Sequence, residues 1–165
     1  VEITKRLELL LSPTFIPFTP WSTVANYQYL LKTIVDLGLV NNVASVQLSL
    51  RLLIPLGSRL LELDEINERA PQFHQEALSY PWQFSDPQME TLANNVRQIV
   101  EEGEQRSKTR QEIFMELWEA ANNAQNTTSQ PSTTLNFSQD CTDIPKMSEA
   151  WYCCAEPTRF QAEQI

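Results

Sequence analysis

The first strong pattern along the chain is an apolar, aromatic run, Thr14-Phe15-Ile16-Pro17-Phe18-Thr19, bounded by Pro13 and Pro20. Its length and residue types predict an extended strand. Trp21-Ser22-Thr23 follow, and Ser22 is placed to cap a helix, because its hydroxyl can accept from an unpaired first-turn amide. Val24, Tyr27, Leu30, Leu31, Ile34 and Leu37 recur at spacings of three and four, which puts them on one buried helix face. Gly38 supplies the left-handed stop. A second strand is predicted over Val46–Ile54, ended by Pro55-Leu56-Gly57-Ser58. A strand, a helix of roughly four turns and a strand with no hairpin signal predict a right-handed βαβ crossover, so the two strands should be parallel.

The second strand alternates. Val46, Leu48, Leu50 and Leu52 fall on one face, and Gln47, Ser49 and Arg51 on the other. A parallel strand is normally covered on both sides and reads as a continuous apolar run. Two readings of the polar face stand side by side. In one it looks into a barrel interior where a polar ligand sits, with Arg51 able to pair a carboxylate bidentately. In the other it lies at an uncovered sheet edge, with the Arg51 stem packed and its head in water.

Beyond Ser58, the run Arg59-Leu60-Leu61-Glu62-Leu63 predicts a short helix. The amides of Gly57 and Ser58 either hold an anion there or belong to an ordinary capped turn. Ile66 to Phe84 contains Pro71, Pro81, the lone His74 and the aromatics Phe73, Tyr80, Trp82 and Phe84, and reads as an irregular wrap. His74 has no second histidine or nearby cysteine to make it a metal ligand. Ser85-Asp86-Pro87 is a helix start, with Ser85 or Asp86 as cap and Pro87 in the first turn. Met89, Leu92, Val96, Ile99 and Val100 form its buried stripe, and Gly103 allows a break or a kink. A further helix starts at Thr109, with Glu112 completing a capping box, and buries Ile113, Phe114, Leu117, Trp118 and Ala121. The charges between, from Glu101 to Lys108, make a solvated outer face. From Asn122 to Asp140 the residues are Asn, Gln, Ser and Thr with almost no apolar anchors, which predicts a flexible tether.

The net charge of -9 over 165 residues argues against nucleic acid as a partner, because phosphates would be repelled. No window is apolar enough to cross a bilayer, and the first residues lack the order of a signal peptide, so a cytoplasmic location is expected. Asn126-Thr127-Thr128 and Asn136-Phe137-Ser138 match the glycosylation acceptor pattern, which carries no meaning in a cytosolic chain. One domain and a well-buried core fit this length. The sequence begins at Val1 as though in mid-element. A two-stranded parallel unit has nothing to pair on its outer edges, so either upstream strands are missing or a mainly helical body surrounds a small sheet remnant.

Three cysteines remain, Cys141, Cys153 and Cys154. Their spacing is not that of a structural zinc site. Nor does it form the C-x-x-x-C-x-x-C set of a radical S-adenosylmethionine (radical SAM) cluster. Adjacent cysteines close only a small, strained ring, and strained disulfides are easily reduced, which suits redox or metal-thiolate chemistry.

The run Pro13 to Thr23, its helix and Val46 to Ser58 together resemble the last βαβ unit of a radical SAM barrel. Cys153-Cys154-Ala155-Glu156-Pro157 is similar to the tail of the CUAEP/CCAEP-tail radical SAM proteins, in which the second position can be selenocysteine. The resemblance covers roughly Pro13 to Ala121 and the final tail. It implies a whole protein that reduces S-adenosylmethionine at a 4Fe-4S cluster, forms a 5′-deoxyadenosyl radical and abstracts hydrogen from a small-molecule substrate. The cluster ligands would lie in a missing N-terminal part of the same protein, and this fragment alone would bind no cofactor and be inactive. Relatives also carry an upstream domain resembling a cobalamin-binding fold, so cobalamin is a further cofactor to consider. Within that frame Gln47, Ser49 and Arg51 line the cofactor or substrate cavity, and Cys153 and Cys154 are the catalytic thiols. Cys154 is the reactive member, as a selenol would be. Cys153 would resolve it, with Cys141 as a second resolver.

The expected architecture is α/β but α-rich overall. Residues 1–65 form the last strand-helix-strand part of a partial (β/α)6 barrel, 66–121 a helical extension, 122–140 a linker and 141–165 the Cys-containing tail. The competing reading is a noncatalytic acidic helical module that docks a partner through its apolar aromatics, its cysteine tail serving as a redox or metal-delivery arm.

Overall fold

Burial of three amphipathic helices against one another shapes the chain. The structure, a computed structural model, describes residues 1–70 and 72–124. The predicted tether beyond Ala124 and the tail with its three cysteines lie outside the described residues, apart from the first three positions of the tether. Helices are α1 (Glu2–Arg6), α2 (Val24–Asp36), α3 (Asp64–Arg69), α4 (Pro87–Gln105) and α5 (Arg110–Ala124), with 3-10 helices at Ser45–Leu48 and Arg59–Glu62. The class is therefore helix-rich, with just over half of the described residues helical.

Helix α2 buries Val24, Tyr27, Leu31 and Ile34, as its spacing predicts, whereas Leu37 at its end is exposed. Its cap is Thr23, whose hydroxyl accepts from the Asn26 amide, and not Ser22. Ser22 is unavailable because its hydroxyl donates to the Pro17 carbonyl and accepts from the Thr19 amide. Gly38 takes the expected positive φ of 65°.

Helix α5 lies antiparallel to α2. Arg110, at its start, donates to the Asn41 carbonyl beyond the end of α2, and the Ala121 carbonyl near its end accepts from Gln28 on the second turn of α2. Helix α4 packs on α5 and closes the core. Met89, Leu92, Val96 and Val100 meet Ile113, Phe114, Leu117 and Ala121 there, together with Phe18 and the α2 stripe. Residues from both sides of position 65 thus share one core. A smaller cluster of Ile54, Ile66, Ala70 and Trp82 sits beside it, and Phe84 packs against both.

The two predicted strands shrink to a single parallel pairing. The Phe18 amide donates to the Leu50 carbonyl at 3.2 Å and the Leu52 amide donates to the Phe18 carbonyl at 2.8 Å, so Phe18 faces Arg51 in parallel. The expected strand Val46–Ile54 begins instead as the 3-10 helix Ser45–Leu48. Two physical reasons limit the ladder. The next donor on that edge of the first run would come from Pro20, which has no N–H. Meanwhile the consecutive residues Ser45, Val46, Gln47 and Leu48 are all buried, which the tight turn achieves against α4 and α5 where a strand would divide them between two faces.

The outer edges are not left open as expected. The Tyr80 amide donates to the Ile54 carbonyl at 2.8 Å beside an antiparallel Pro55–Ser79 pairing, which covers the far edge of the second run. Ser22 satisfies the other edge of Pro17–Thr19. Each fully buried side chain of this core contributes roughly 1.5–3 kcal/mol, against roughly 0.5–1.5 kcal/mol for a backbone hydrogen bond, so helix packing outweighs the sheet remnant.

Gly103 does not break α4, which continues to Gln105. It serves the helix contact: a Cβ there would stand 2.6 Å from Ile113 Cγ1. Overpacking of that kind costs roughly 1–3 kcal/mol, and Ala in place of Gly returns roughly 1 kcal/mol of helix propensity. Gly103→Ala is expected to lose up to about 2 kcal/mol in urea denaturation, and to become stabilising in an Ile113→Ala background.

The capping box at α5 forms as predicted. The Thr109 amide donates to Glu112 Oε2 at 2.7 Å, and the Glu112 amide donates to the Thr109 hydroxyl at 3.2 Å. The Thr109 amide, then its hydroxyl, hold the Glu112 carboxyl below the usual carboxylate range. A carboxylate depressed by folding contributes stability that is present above its ordinary value and lost as pH falls through the lowered one. Glu112→Gln is expected to lower the urea midpoint at neutral pH, and the gap from the parent chain should close in acid.

Candidate functional site

The three polar residues of the second run go to three different places. Gln47 is buried in the 3-10 helix, and its side-chain oxygen accepts from the Phe15 amide at 3.2 Å, which ties the first extended run to the second. The Ser49 hydroxyl donates to the Val46 carbonyl at 2.9 Å and closes that turn. The turn breaks the alternation that would have put both on the Arg51 face. Their grouping as one cavity wall is therefore not what the fold produces at this point.

Arg51 is the best-determined of the three. Its Nη1 donates to Glu90 Oε1 at 2.9 Å, and its Nη2 donates to the Trp82 carbonyl. The guanidinium lies over the Trp82 ring at 4.1 Å from the centroid and 4.9 Å from that of Phe84. The Trp82 indole N–H in turn donates to the Leu52 carbonyl at 2.7 Å. Arg51 thus points toward the first turn of α4, the helix-covered side, and a carboxylate partner does reach it, from Glu90 of the same chain. Charge-assisted bonds and stacking on aromatic faces favour arginine over lysine in such a place. The other Glu90 oxygen, Oε2, is buried without a partner, so the guanidinium supplies the charge balance for that carboxylate.

An aromatic file carries this cluster into the main core. Trp82 meets Phe84 edge-on at 4.9 Å, Phe84 meets Phe18 at 6.2 Å, and Phe18 stacks on Tyr27 at 5.0 Å. Tyr27 is buried and donates to the Leu48 carbonyl at 3.1 Å, and burial pushes its phenol well above the ordinary range. It is a fixed donor and not an acid at neutral pH. Trp82, Glu90 and Tyr27 were not legible as site residues. Glu90 reads in sequence only as an acid in a first helical turn, and no local spacing joins it to an arginine 39 residues earlier.

The C-terminal ends of the two extended runs make a second feature. Trp21 donates its indole N–H to Glu65 at 2.9 Å, and Arg69 donates to the Pro20 carbonyl at 2.9 Å, so the end of the first run is held against α3. Beside it, Gly57 has a φ of 79° with open space where a Cβ would stand, and Ser58 caps the 3-10 helix Arg59–Glu62 by accepting from Leu60. That is the ordinary capped turn of the two readings. His74 is exposed, its Nδ1 accepting from the Ala77 amide.

Cys153 and Cys154, the expected catalytic thiols, lie outside the described residues, as does Cys141. Among the described residues no three His, Cys, Asp or Glu side chains gather into a metal-binding group. No described helix is long and apolar enough to cross a membrane.

Arg51→Lys keeps the charge but cannot reach Glu90 and the Trp82 carbonyl while stacking on two rings. It is expected to cost about 1–3 kcal/mol in chemical denaturation. Glu90→Gln added to Arg51→Met should cost less than the two changes summed, because the half-buried Glu90 carboxylate is no longer left without its counter-ion. Against this geometry, comparison with known proteins adds no relative: no protein-family model, no curated protein and no solved structure matches the chain.

Proposed function

We propose that this chain is the closing sector of a radical S-adenosylmethionine enzyme. The observation that carries the reading is the sequence Cys153-Cys154-Ala155-Glu156-Pro157 downstream of the Pro13–Ser58 unit. The parallel pairing of Phe18 with Arg51, connected through α2, supports it, since this is the connectivity of a βαβ crossover. In this reading the extended runs are the last staves of a (β/α)6 barrel. Ligands for a 4Fe-4S cluster, and the site for S-adenosylmethionine, come mainly from the rest of the protein. The ends that carry Trp21 and Leu56–Ser58 face the reacting molecules, because ligands bind at the carboxyl ends of parallel strands. Cys154 is the reactive thiol of the tail, and Cys153 its resolving partner.

A second reading is favoured by one observation. Gln47, Ser49 and Arg51 each make a bond within the fold, as an acidic helical interaction module with a cysteine arm would have them.

The coding sequence before Val1 and the activity of the whole protein separate the two. A C-x-x-x-C-x-x-C set upstream, and 5′-deoxyadenosine formed from S-adenosylmethionine by the reconstituted, dithionite-reduced protein, are expected. A start codon at Val1 with no such set would overturn the enzyme reading. For the tail, Cys154 is expected to alkylate at least about tenfold faster than free cysteine at neutral pH, as a thiolate-rich site should. An equal rate would remove the activated thiol.

A further inference from the structure

Exposed apolar side chains occur at several places on the described surface, and one group of them stands at the end of the fold where the two extended runs finish. Trp21 is 43% exposed, Leu63 46% and Leu56 69%. Trp21 and Leu63 are brought together through α3: Trp21 bonds to Glu65 in its first turn, and Leu63 is the residue that precedes that turn. Leu56 occupies the turn that ends the second run, closed by the Ser58 amide donating to the Pro55 carbonyl. Trp21 offers a large apolar face with its one polar atom already satisfied, the property that enriches this residue at contact surfaces.

The course of α5 says what can cover this surface. Its antiparallel alignment with α2 runs from the Arg110–Asn41 bond at one end to the Gln28–Ala121 bond at the other. Continuing three residues to Ala124 carries the chain beside the first turn of α2, and the cap of that turn, Thr23, is two residues from Trp21. The chain therefore leaves α5 at the Trp21 end of the fold. Twenty-six residues separate Ala124 from Trp151. A coil of that length has a root-mean-square span of about 28 Å. Trp151-Tyr152 are adjacent aromatics immediately before Cys153-Cys154, so whatever holds them sets where the thiols stand. Tethering makes such a contact intramolecular, at an effective concentration on the order of millimolar, so a modest apolar surface suffices.

We propose that Trp151 and Tyr152 of the tail dock on the surface formed by Trp21, Leu56 and Leu63, holding the Cys153-Cys154 pair over the carboxyl ends of the two extended runs. The inference builds on the reading of those ends as the reacting side, but the contact itself does not require radical chemistry.

The test uses the full chain and two readouts independent of enzyme activity. Hydrogen exchange of peptides covering Pro20–Thr23 and Pro55–Leu63 is compared between the parent chain and a Trp151→Ser/Tyr152→Ser variant. Exchange there should accelerate at least about threefold while α4 and α5 peptides stay unchanged. In the reciprocal arm, iodoacetamide labelling of Cys153 and Cys154 should be at least about threefold faster in Trp21→Ser and in Leu56→Ser. Leu56 is exposed in a turn, so its replacement leaves the fold intact even if Trp21→Ser loosens it. Unchanged exchange in the first arm, or unchanged labelling in Leu56→Ser, overturns the docking. Protection that rises with protein concentration overturns it in favour of a second copy of the chain. Docking in this chain, with no 5′-deoxyadenosine formed by the whole protein that contains it, would overturn the enzyme reading alone.

Discussion

One residue sets the register of the whole molecule. Phe18 is fully buried, bonds through both backbone groups to the second extended run, and stacks on Tyr27 of the helix that connects the two. Prolines at 13, 17 and 20 leave little else in that run able to pair, so among the described residues the backbone pairing of the two runs is confined to Phe18, with the Phe15–Gln47 bond as a side-chain tie beside it. Because Phe18 also meets Phe84, the same residue joins the helical core to the smaller cluster around Trp82.

That junction decides what Arg51 can do. Its position opposite Phe18 places it beside Trp82 and Phe84, with Glu90 of α4 within reach, and the guanidinium is held on all of them at once. An arginine fixed so completely is a strong structural tie. It also carries the only positive charge adjacent to the half-paired Glu90 among the described ion pairs. The polar side chains of the second run are thereby spent on building the fold.

Helix direction fixes where the described chain ends. Arg110 and Gln28 fix α5 antiparallel to α2, so the chain departs where the runs terminate and not at the opposite side. Gly103 is central to this arrangement, because the approach of α4 to α5 at Ile113 leaves no room for a side chain.

Local patterns were enough to determine α2, α4 and α5, though not α1 or α3. The three-and-four spacing of α2, the Asp86-Pro87 start of α4 and the Thr109–Glu112 box of α5 each act within one or two turns, so adjacent residues decide them. The run Val46–Ile54 shows where such reasoning ends. Its alternation is genuine, but alternation selects a strand only if a partner offers a ladder, and Pro20 withdraws one while α4 and α5 bury the consecutive residues Ser45 to Leu48 together. Ser22 lost the cap to Thr23 for a similar reason, since the Pro17 carbonyl and Thr19 amide are brought to its hydroxyl by the turn itself. The pairing of Arg51 with Glu90 and Trp82 joins residues more than thirty positions apart, and only the packed chain could select those partners from the many acids and aromatics the sequence offers.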